Sequence, residues 1–444
     1  MQNPTIHDII NTMHIEAKHD DKKFSVKEDK TMSVPQPLKR IADFEKMGLG
    51  MFVHWGLYSQ IGMGEWIFHS QKRSMDDYKK LAETFTAEDF DADELVLTAK
   101  NAGCKYITLT TRHHEGFSLY DTCGLSDFDA PHSAAKRDLI REFVDACNCH
   151  GIIPFFYHTT LDWYNPDFNN DFDSYLEYLR KSVEILCTNY GKIGGLWFDG
   201  NWSKKGADWK EDALYATIRK HQPDAIIVNN TGLHARGALG NHEIDSVTFE
   251  QGKPTPMDRE GMPKYLAAEM CHTLNDHWGI GVNDFNYQSP ASIIEHLCAC
   301  RKVGANYLLN IGPTAQGGVE PIQRELMRIL GKWMDIYGEA IYNGKPHGAT
   351  SLNKKNFALK ADGYLYFFIH DLGRRGNINV TADGKYCGNI GFNRVPEGIE
   401  SIEWMDNRES LDFSQNGDCF SFNATGYPYG MSTCVRVAKA KIAE

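Results

Sequence analysis

Eight short apolar runs, most of them separated by longer amphipathic segments, constrain the fold of this chain more than any other feature. They fall at residues 51–55, 106–111, 152–158, 195–199, 225–229, 246–250, 267–272 and 307–311. Runs of this length and apolarity read as buried strands. Segments such as 139–149, 173–190 and 292–303 have the apolar spacing of one helix face with a polar face opposite. Strands that alternate with helices lie parallel, and eight of them make a closed TIM-like (β/α)8 barrel. A barrel of this kind carries its chemistry at the C-terminal ends of its strands. Four runs end on residues that a purely structural strand rarely needs: 51–54 closes on His54, 106–114 on His113-His114, 152–158 on Tyr157-His158, and 195–199 on Asp199 followed by Gly200.

The barrel pattern finishes near Tyr342, after an amphipathic segment at 323–337. From about Pro346 the texture changes to short alternating runs at 357–359, 365–369, 378–380, 402–404, 419–422 and 433–437, separated by Gly, Asn and Asp turns. That pattern predicts a small antiparallel β-sandwich at 346–444 behind a catalytic barrel domain at 1–345. At 444 residues and 42% hydrophobic content the chain can fill both cores. The first 46 residues are polar, and Lys18-His19-Asp20-Asp21-Lys22-Lys23 reads as a solvated face or a loose arm.

A net charge of -12 and a pI near 5.8 argue against a nucleic-acid or anionic-membrane surface and favour a small or neutral partner. No apolar run approaches a membrane span, and the opening residues lack the basic start and apolar core of a signal peptide, so the expectation is a cytoplasmic protein. Eleven cysteines, an odd number, include Cys147-Asn148-Cys149 and Cys298-Ala299-Cys300. Neither pair has partners at zinc-finger spacing, which points to reduced, helix-packing thiols.

The richest local signal is Gly194-Gly195-Leu196-Trp197-Phe198-Asp199-Gly200, a buried strand that delivers a carboxylate to the barrel mouth. Gly200 reads as the small residue that lets a sugar ring approach that carboxylate. Together with His54-Trp55-Gly56-Leu57-Tyr58-Ser59, Gly64-Glu65-Trp66, His113-His114-Glu115-Gly116-Phe117, Lys136-Arg137-Asp138-Leu139 and Asn306-Tyr307-Leu308-Leu309-Asn310-Ile311-Gly312-Pro313, it resembles the α-L-fucosidases of glycoside hydrolase family 29. The motifs occur in order across the whole barrel.

The resemblance implies a retaining exo-α-L-fucosidase that removes terminal α-L-fucose from oligosaccharides or glycoconjugates through a covalent fucosyl-enzyme, without cofactor or metal. It puts the nucleophile on Asp199. Retention needs a second carboxyl about 5–5.5 Å away with a raised pKa. Two glutamates compete for that role. Glu250, at the end of the sixth run, is favoured. Glu269, earlier in the seventh, is the alternative or else a supporting carboxylate that orients its neighbours.

The resemblance also implies substrate contacts from His54, Glu65, Trp66, His113, His114, Tyr157 and Trp197, and draws in Glu269. Relatives usually place an arginine just after strand five. Asn229-Asn230-Thr231-Gly232 lacks one at once, and Arg236 follows in an inserted stretch. Trp66, Trp197 and Phe117 offer aromatic faces for a deoxy sugar. Asp162-Trp163, Asn275-Asp276 and Trp278 fall on loops above the same face. Two other classes stay open at this point. One is a catalytically silent fucose-binding barrel. The other is a metal-dependent hydrolase using His54, His113, His114, His158 and Asp199. Homo-oligomers are compatible with the chain size and the family.

Overall fold

The computed structural model describes residues 33–375 and 386–443. The polar run 18–23 and the strand expected at 378–380 lie outside the described residues. Eight parallel strands close a barrel in sequential order. They are β1 (Leu49–Val53), β2 (Tyr106–Arg112), β3 (Ile153–Thr159), β4 (Gly195–Asp199), β5 (Ile226–Asn229), β6 (Ser246–Thr248), β7 (Ala267–Thr273) and β8 (Asn306–Ile311). Each falls on one of the eight apolar runs. β6 ends two residues earlier than its run, because the chain turns at Gln251, which has a φ of 51°, and carries Glu250 off the strand.

The strands alternate between two cores, as a pleated strand must. Phe52, Tyr106, Phe155, Tyr157, Trp197, Ile226, Val228 and Leu308 point into the barrel and pack on one another. Met51, Val53, Ile107, Leu109, Phe156, Leu196, Phe198 and Leu309 point outward beneath the helices. Helix Lys39–Met47 plugs the N-terminal end of the barrel: its Ile41 and Phe44 join the interior core, and Phe44 lies 5.5 Å from the Tyr106 ring.

The helices predicted from periodicity are present as Leu139–His150, Phe172–Asn189, Pro290–Lys302 and Pro321–Asn343. Local chemistry fixes their ends. Asp138 caps the first by accepting from the Arg141 backbone N–H at 3.0 Å, worth about 1 kcal/mol, and Gly151 closes it in the left-handed region at φ 70°. The Lys136-Arg137-Asp138-Leu139 motif is thus structural here. Arg137 pairs with Glu142 and bonds the carbonyl of Phe90, while Asp138 also accepts from Tyr190.

Among the described residues, no helix follows β5 or β6. The connection after β5 carries Gly232, Gly237 and Gly240 and has no helical apolar spacing, so it stays a loop and folds over the C-terminal mouth. Behind the barrel, a four-stranded and a five-stranded antiparallel sheet face each other. Leu365, Phe367, Phe392, Trp404 and Phe422 fill the space between them. The reverse face of the five-stranded sheet, with Phe368 and Val437, continues the outer barrel core, and Trp333 of the last helix donates to the Val435 carbonyl at 3.0 Å. No helix among the described residues is long and apolar enough to cross a membrane.

Candidate active site

A cavity of about 640 Å³ opens at the C-terminal mouth of the barrel. Its floor is the uppermost inward layer, Phe52, His54, Tyr157 and Trp197, and its walls carry Asp199, Glu250, Asn230, His113 and the indoles of Trp66, Trp202 and Trp278. A larger and shallower cleft on the outside of the barrel is lined by carboxylates such as Glu88, Asp89 and Asp145 together with Phe90, Ala92, Ala146 and Cys149, with no basic side chain among them.

Asp199 ends β4 facing inward and takes four contacts. Oδ1 accepts from Trp202 Nε1 at 2.8 Å and from Asn230 Nδ2 at 3.2 Å. Oδ2 accepts from the Tyr157 hydroxyl at 3.1 Å and lies 3.4 Å from His114 Nε2. Burial works to raise its pKa, but His114, Trp202 and Tyr157 outweigh that and hold the carboxyl below its ordinary value. The result is an ionised, tightly oriented carboxylate.

Glu250 sits beside it in the opposite state. Burial first, and then the negative charge of Asp199, pushes its pKa up to about 7, against the opposing pull of Asn230 and Arg236. The side-chain nitrogen of Asn230 donates to both acids, at 3.2 Å to Asp199 and 2.8 Å to Glu250. Two bonds from one nitrogen hold the nearest oxygens within about 6 Å of each other, close to the spacing of a retaining pair. Asn230 is itself fixed, because its Oδ1 accepts from the Gly232 backbone and from Thr248. Two neighbouring carboxyls with pKa values driven apart are the electrostatic signature of divided acid and nucleophile roles.

The register of β6 and β7 separates the two glutamates. Thr248 is level with Glu269, so Glu250 stands two residues nearer the mouth, about 7 Å of strand. Glu269 lies in the barrel interior below the cavity floor. It accepts from Trp197 Nε1 at 3.0 Å and from the Tyr106 hydroxyl, and burial pushes its pKa up to about 7 as well. Titration therefore does not distinguish the two acids, whereas position does.

The other predicted residues divide in the same way. His54, Trp66, His113, Tyr157 and Trp197 line the cavity. Glu65, His114 and Arg236 do not. Glu65 accepts from the backbone N–H groups of Trp278 and Gly279 at 3.0 and 2.9 Å and so fixes the loop that presents Trp278. His114 stands behind Asp199, with Nδ1 on the Thr159 hydroxyl at 2.7 Å. Arg236 is exposed at the rim, where it donates to the Glu250 backbone carbonyl.

Three sequence readings are revised by the packing. Phe117 turns away from the site to pack on Phe85 and Phe128. His113 and His114 do not continue the strand of the run 106–114: β2 ends at Arg112, and a turn closed by Gly116 N to His113 O brings the two rings to 4.2 Å. Gly200 does not open the way for a sugar: at φ 124° a Cβ there would lie 2.4 Å from the backbone nitrogen of Leu161, so the constraint is contact with the loop after β3. Sequence reasoning missed Asn230 and Trp202. Asn230 stood in plain view where an arginine was sought, and its in-phase spacing two residues beyond Val228 was the usable signal.

Both cavity histidines are neutral. Burial pushes the His54 pKa down to about 3 and that of His113 well below its ordinary value. His54 Nδ1 lies 2.7 Å from Asn310 Oδ1, and the amide nitrogen of Asn310 donates to the Trp278 carbonyl. The His54 proton is therefore on Nδ1, and Nε2 presents a lone pair. His158 points outward between Thr111 and Ser182. Among the described residues, the one trio with metal-ligand spacing is Asp93, Cys149 and His150 on the outer helices, away from this cavity.

Carboxylates in two protonation states, neutral imidazoles and facing indoles make a pocket for a polyhydroxylated ring. A family model described as α-L-fucosidase matches residues 12–339. The chain belongs to the α-L-fucosidase family. It is similar to the tissue α-L-fucosidase of Mus musculus, 31% identical over 345 residues, which covers 70% of this chain and 73% of that one. The human tissue enzyme is also 31% identical, over 337 residues, 68% of this chain and 69% of that protein. In structure the chain resembles α-L-fucosidase isoenzyme 1 from Paenibacillus thiaminolyticus, with a TM-score of 0.79, 29% identity, and coverage of 91% of this chain and 99% of that one. A Bacteroides thetaiotaomicron family 29 α-L-fucosidase trapped as a covalent intermediate shares the fold at 23% identity and TM-score 0.76, over 93% of this chain and 98% of that one. This chain is accordingly a glycoside hydrolase of the α-L-fucosidase class.

Proposed function

We propose that the protein is a retaining exo-α-L-fucosidase in which Asp199 is the nucleophile and Glu250 the acid/base. The single observation that carries this reading is the bridge of Asn230 to two carboxyls whose pKa values diverge. Ionised Asp199 attacks the anomeric carbon, while protonated Glu250 gives its proton to the leaving oxygen. With fucose held as an ester on Asp199, Glu250, now a carboxylate, takes a proton from water as that water attacks the same carbon and frees the sugar. The indoles of Trp66 and Trp278 offer apolar faces to the C–H edges of the ring, and the floor limits the pocket to one terminal sugar. Lys205, Thr231 and Leu233 at the rim would meet the leaving group of a fucosylated oligosaccharide or glycoconjugate. The buried thiols of Cys104, Cys147, Cys187, Cys271, Cys298 and Cys300 are free, which supports a reducing, cytoplasmic setting.

Hydrolysis of 4-nitrophenyl α-L-fucoside in the presence of EDTA, with the β-D-galactoside and α-L-rhamnoside as controls, tests the reading. Selective turnover of the fucoside supports it. Failure on all three favours a silent binding barrel, and loss on chelation favours the metal-dependent alternative.

The pH profile follows from the two carboxyls. Glu250 must hold its proton and Asp199 must have lost its own. We expect kcat/KM to rise as Asp199 ionises, below the usual carboxylate range, and to fall as pH climbs through about 7. An alkaline limb near 4 to 5, the ordinary carboxylate range, would contradict the assignment of Glu250.

Asn230→Ala removes a donor that favours the ionised form of Glu250. The expected result is an alkaline limb moved to higher pH, with kcat/KM down by about tenfold or more because Asp199 is less well held. An unshifted limb in a folded variant contradicts the bridge.

A further inference from the structure

Glu115, a buried acid that takes no part in the proposed mechanism, lies directly behind a cavity histidine. The turn after β2 that presents His113 to the cavity folds Glu115 back behind it. Glu115 is 1% exposed, and Oε2 lies 3.5 Å from His113 Nδ1, just beyond a good hydrogen bond. Neither Glu115 oxygen, nor His113 Nδ1, has a well-formed hydrogen bond to any described residue. Buried polar atoms of this kind are rare unless they serve one another or a ligand. The backbone is shaped around this carboxyl: a Cβ at Gly56 would lie 2.7 Å from Glu115 Oε1, so the His54-Trp55-Gly56 segment closes directly over it.

We propose that Glu115 is a positioning residue that hydrogen-bonds His113 Nδ1 and thereby fixes the proton of the ring on Nε2, on the cavity side. The inference rests on the cavity being the sugar site. His113 then becomes a donor, whereas His54, whose Nδ1 proton goes to Asn310, is an acceptor. The two rings stand 5.7 Å apart, edge to face. A sugar hydroxyl lying between them can accept from one and donate to the other, which an ether, a fluorine or a methyl group cannot do.

The surroundings support the donor state. Burial pushes Glu115 up to about 8, and Asp162, on the loop after β3, adds to the shift; the backbone N–H groups of Glu115 and Leu57 and the Arg112 guanidinium of β2 oppose it. The buried hydroxyls of Tyr58 and Tyr78 also face the acid. His114 and His54 flank His113 and, with burial, keep its ring neutral. Near neutrality the acid proton therefore sits on Glu115 and is donated to Nδ1. Above about 8 the carboxylate accepts instead, and the ring proton moves to Nδ1.

Nitrogen NMR of enzyme labelled with ¹⁵N-histidine tests this, with the His113 signals identified by their loss in His113→Gln. At pH 7 we expect an Nε2–H tautomer that inverts as the pH passes about 8, and no inversion in Glu115→Gln. In kinetics, Glu115→Leu should lower kcat/KM on the fucoside by about tenfold or more, and Glu115→Gln, whose amide N–H replaces the acid proton, should recover most of that loss. An Nδ1–H tautomer at pH 7, or a glutamine variant no better than leucine, overturns the proposal. Should the leucine variant fail to fold, the wild-type and glutamine spectra decide alone. The expected tautomer in a wild-type protein that turns over no fucoside would count against the functional reading and leave the role of Glu115 standing.

Discussion

Asp199→Ala should retain less than about one-thousandth of wild-type kcat/KM on 4-nitrophenyl α-L-fucoside while keeping its fold. The loss is large because no other group can take the place of the attacking carboxylate. Trp202, Asn230, Tyr157 and His114 all converge on its two oxygens, and Glu250, whose protonated form is favoured by burial and by the Asp199 charge, serves the leaving group in the proposed roles. The fold survives because Asp199 caps no helix and its donors border an open cavity where water can replace it. Azide offers a second readout. A fucosyl azide formed by the alanine variant should have inverted configuration, since azide then attacks in a single displacement. Near wild-type turnover, or azide product with retained configuration, would sink the assignment.

Glu250→Ala should divide substrates by the acidity of their leaving groups. A fucosyl disaccharide needs a proton on its departing oxygen and should lose about a thousandfold or more in kcat/KM. An activated aryl fucoside departs with little protonation and should lose only about tenfold. Its kcat should fall further than its kcat/KM, because the same residue must also activate water in the second step. Azide, which needs no base, should restore turnover and give a product of retained configuration. Glu269→Gln provides the contrast. Glu269 is buried beneath the floor with its oxygens on Tyr106 and Trp197, so its loss should affect both substrate types alike, together with stability. If Glu269→Gln shows the leaving-group dependence and Glu250→Ala does not, the roles are exchanged.

The barrel was legible in the sequence because burial on both faces leaves continuous apolar runs, and eight of those are hard to arrange otherwise. The proposed nucleophile, Asp199, stood out on related grounds: a carboxylate at the end of the apolar run 195–199 has no structural excuse. Height within the barrel was harder to read. Glu250 and Glu269 each belong to an inward-facing parity, and only the pairing of Thr248 with Glu269 shows that one stands at the mouth and the other a layer below. Register is a property of neighbouring strands, and neither strand states it alone. The missing arginine misled in a similar way. With no helix after β5, the loop folds over the mouth, and Asn230 at its start takes the place between the two acids.

Turn geometry was also hidden. The run 106–114 reads as one segment through His114, yet the strand stops at Arg112, and the left-handed Gly116, whose φ is 86°, swings both rings to one side. Gly200 gave the right residue for the wrong reason, since the crowding comes from Leu161.

Covalent labelling with 2-deoxy-2-fluoro-α-L-fucosyl fluoride, followed by peptide mapping, tests directly whether Asp199 carries the sugar. Fluorine at C2 slows both chemical steps, and the fluoride leaving group spares the first, so the ester intermediate accumulates. With Asp199 as nucleophile, one fucosyl adduct per chain is expected, carried by Asp199 and lost on transfer to added acceptor. An adduct on a different residue, or turnover whose first product is β-L-fucose with no adduct formed, would contradict that assignment.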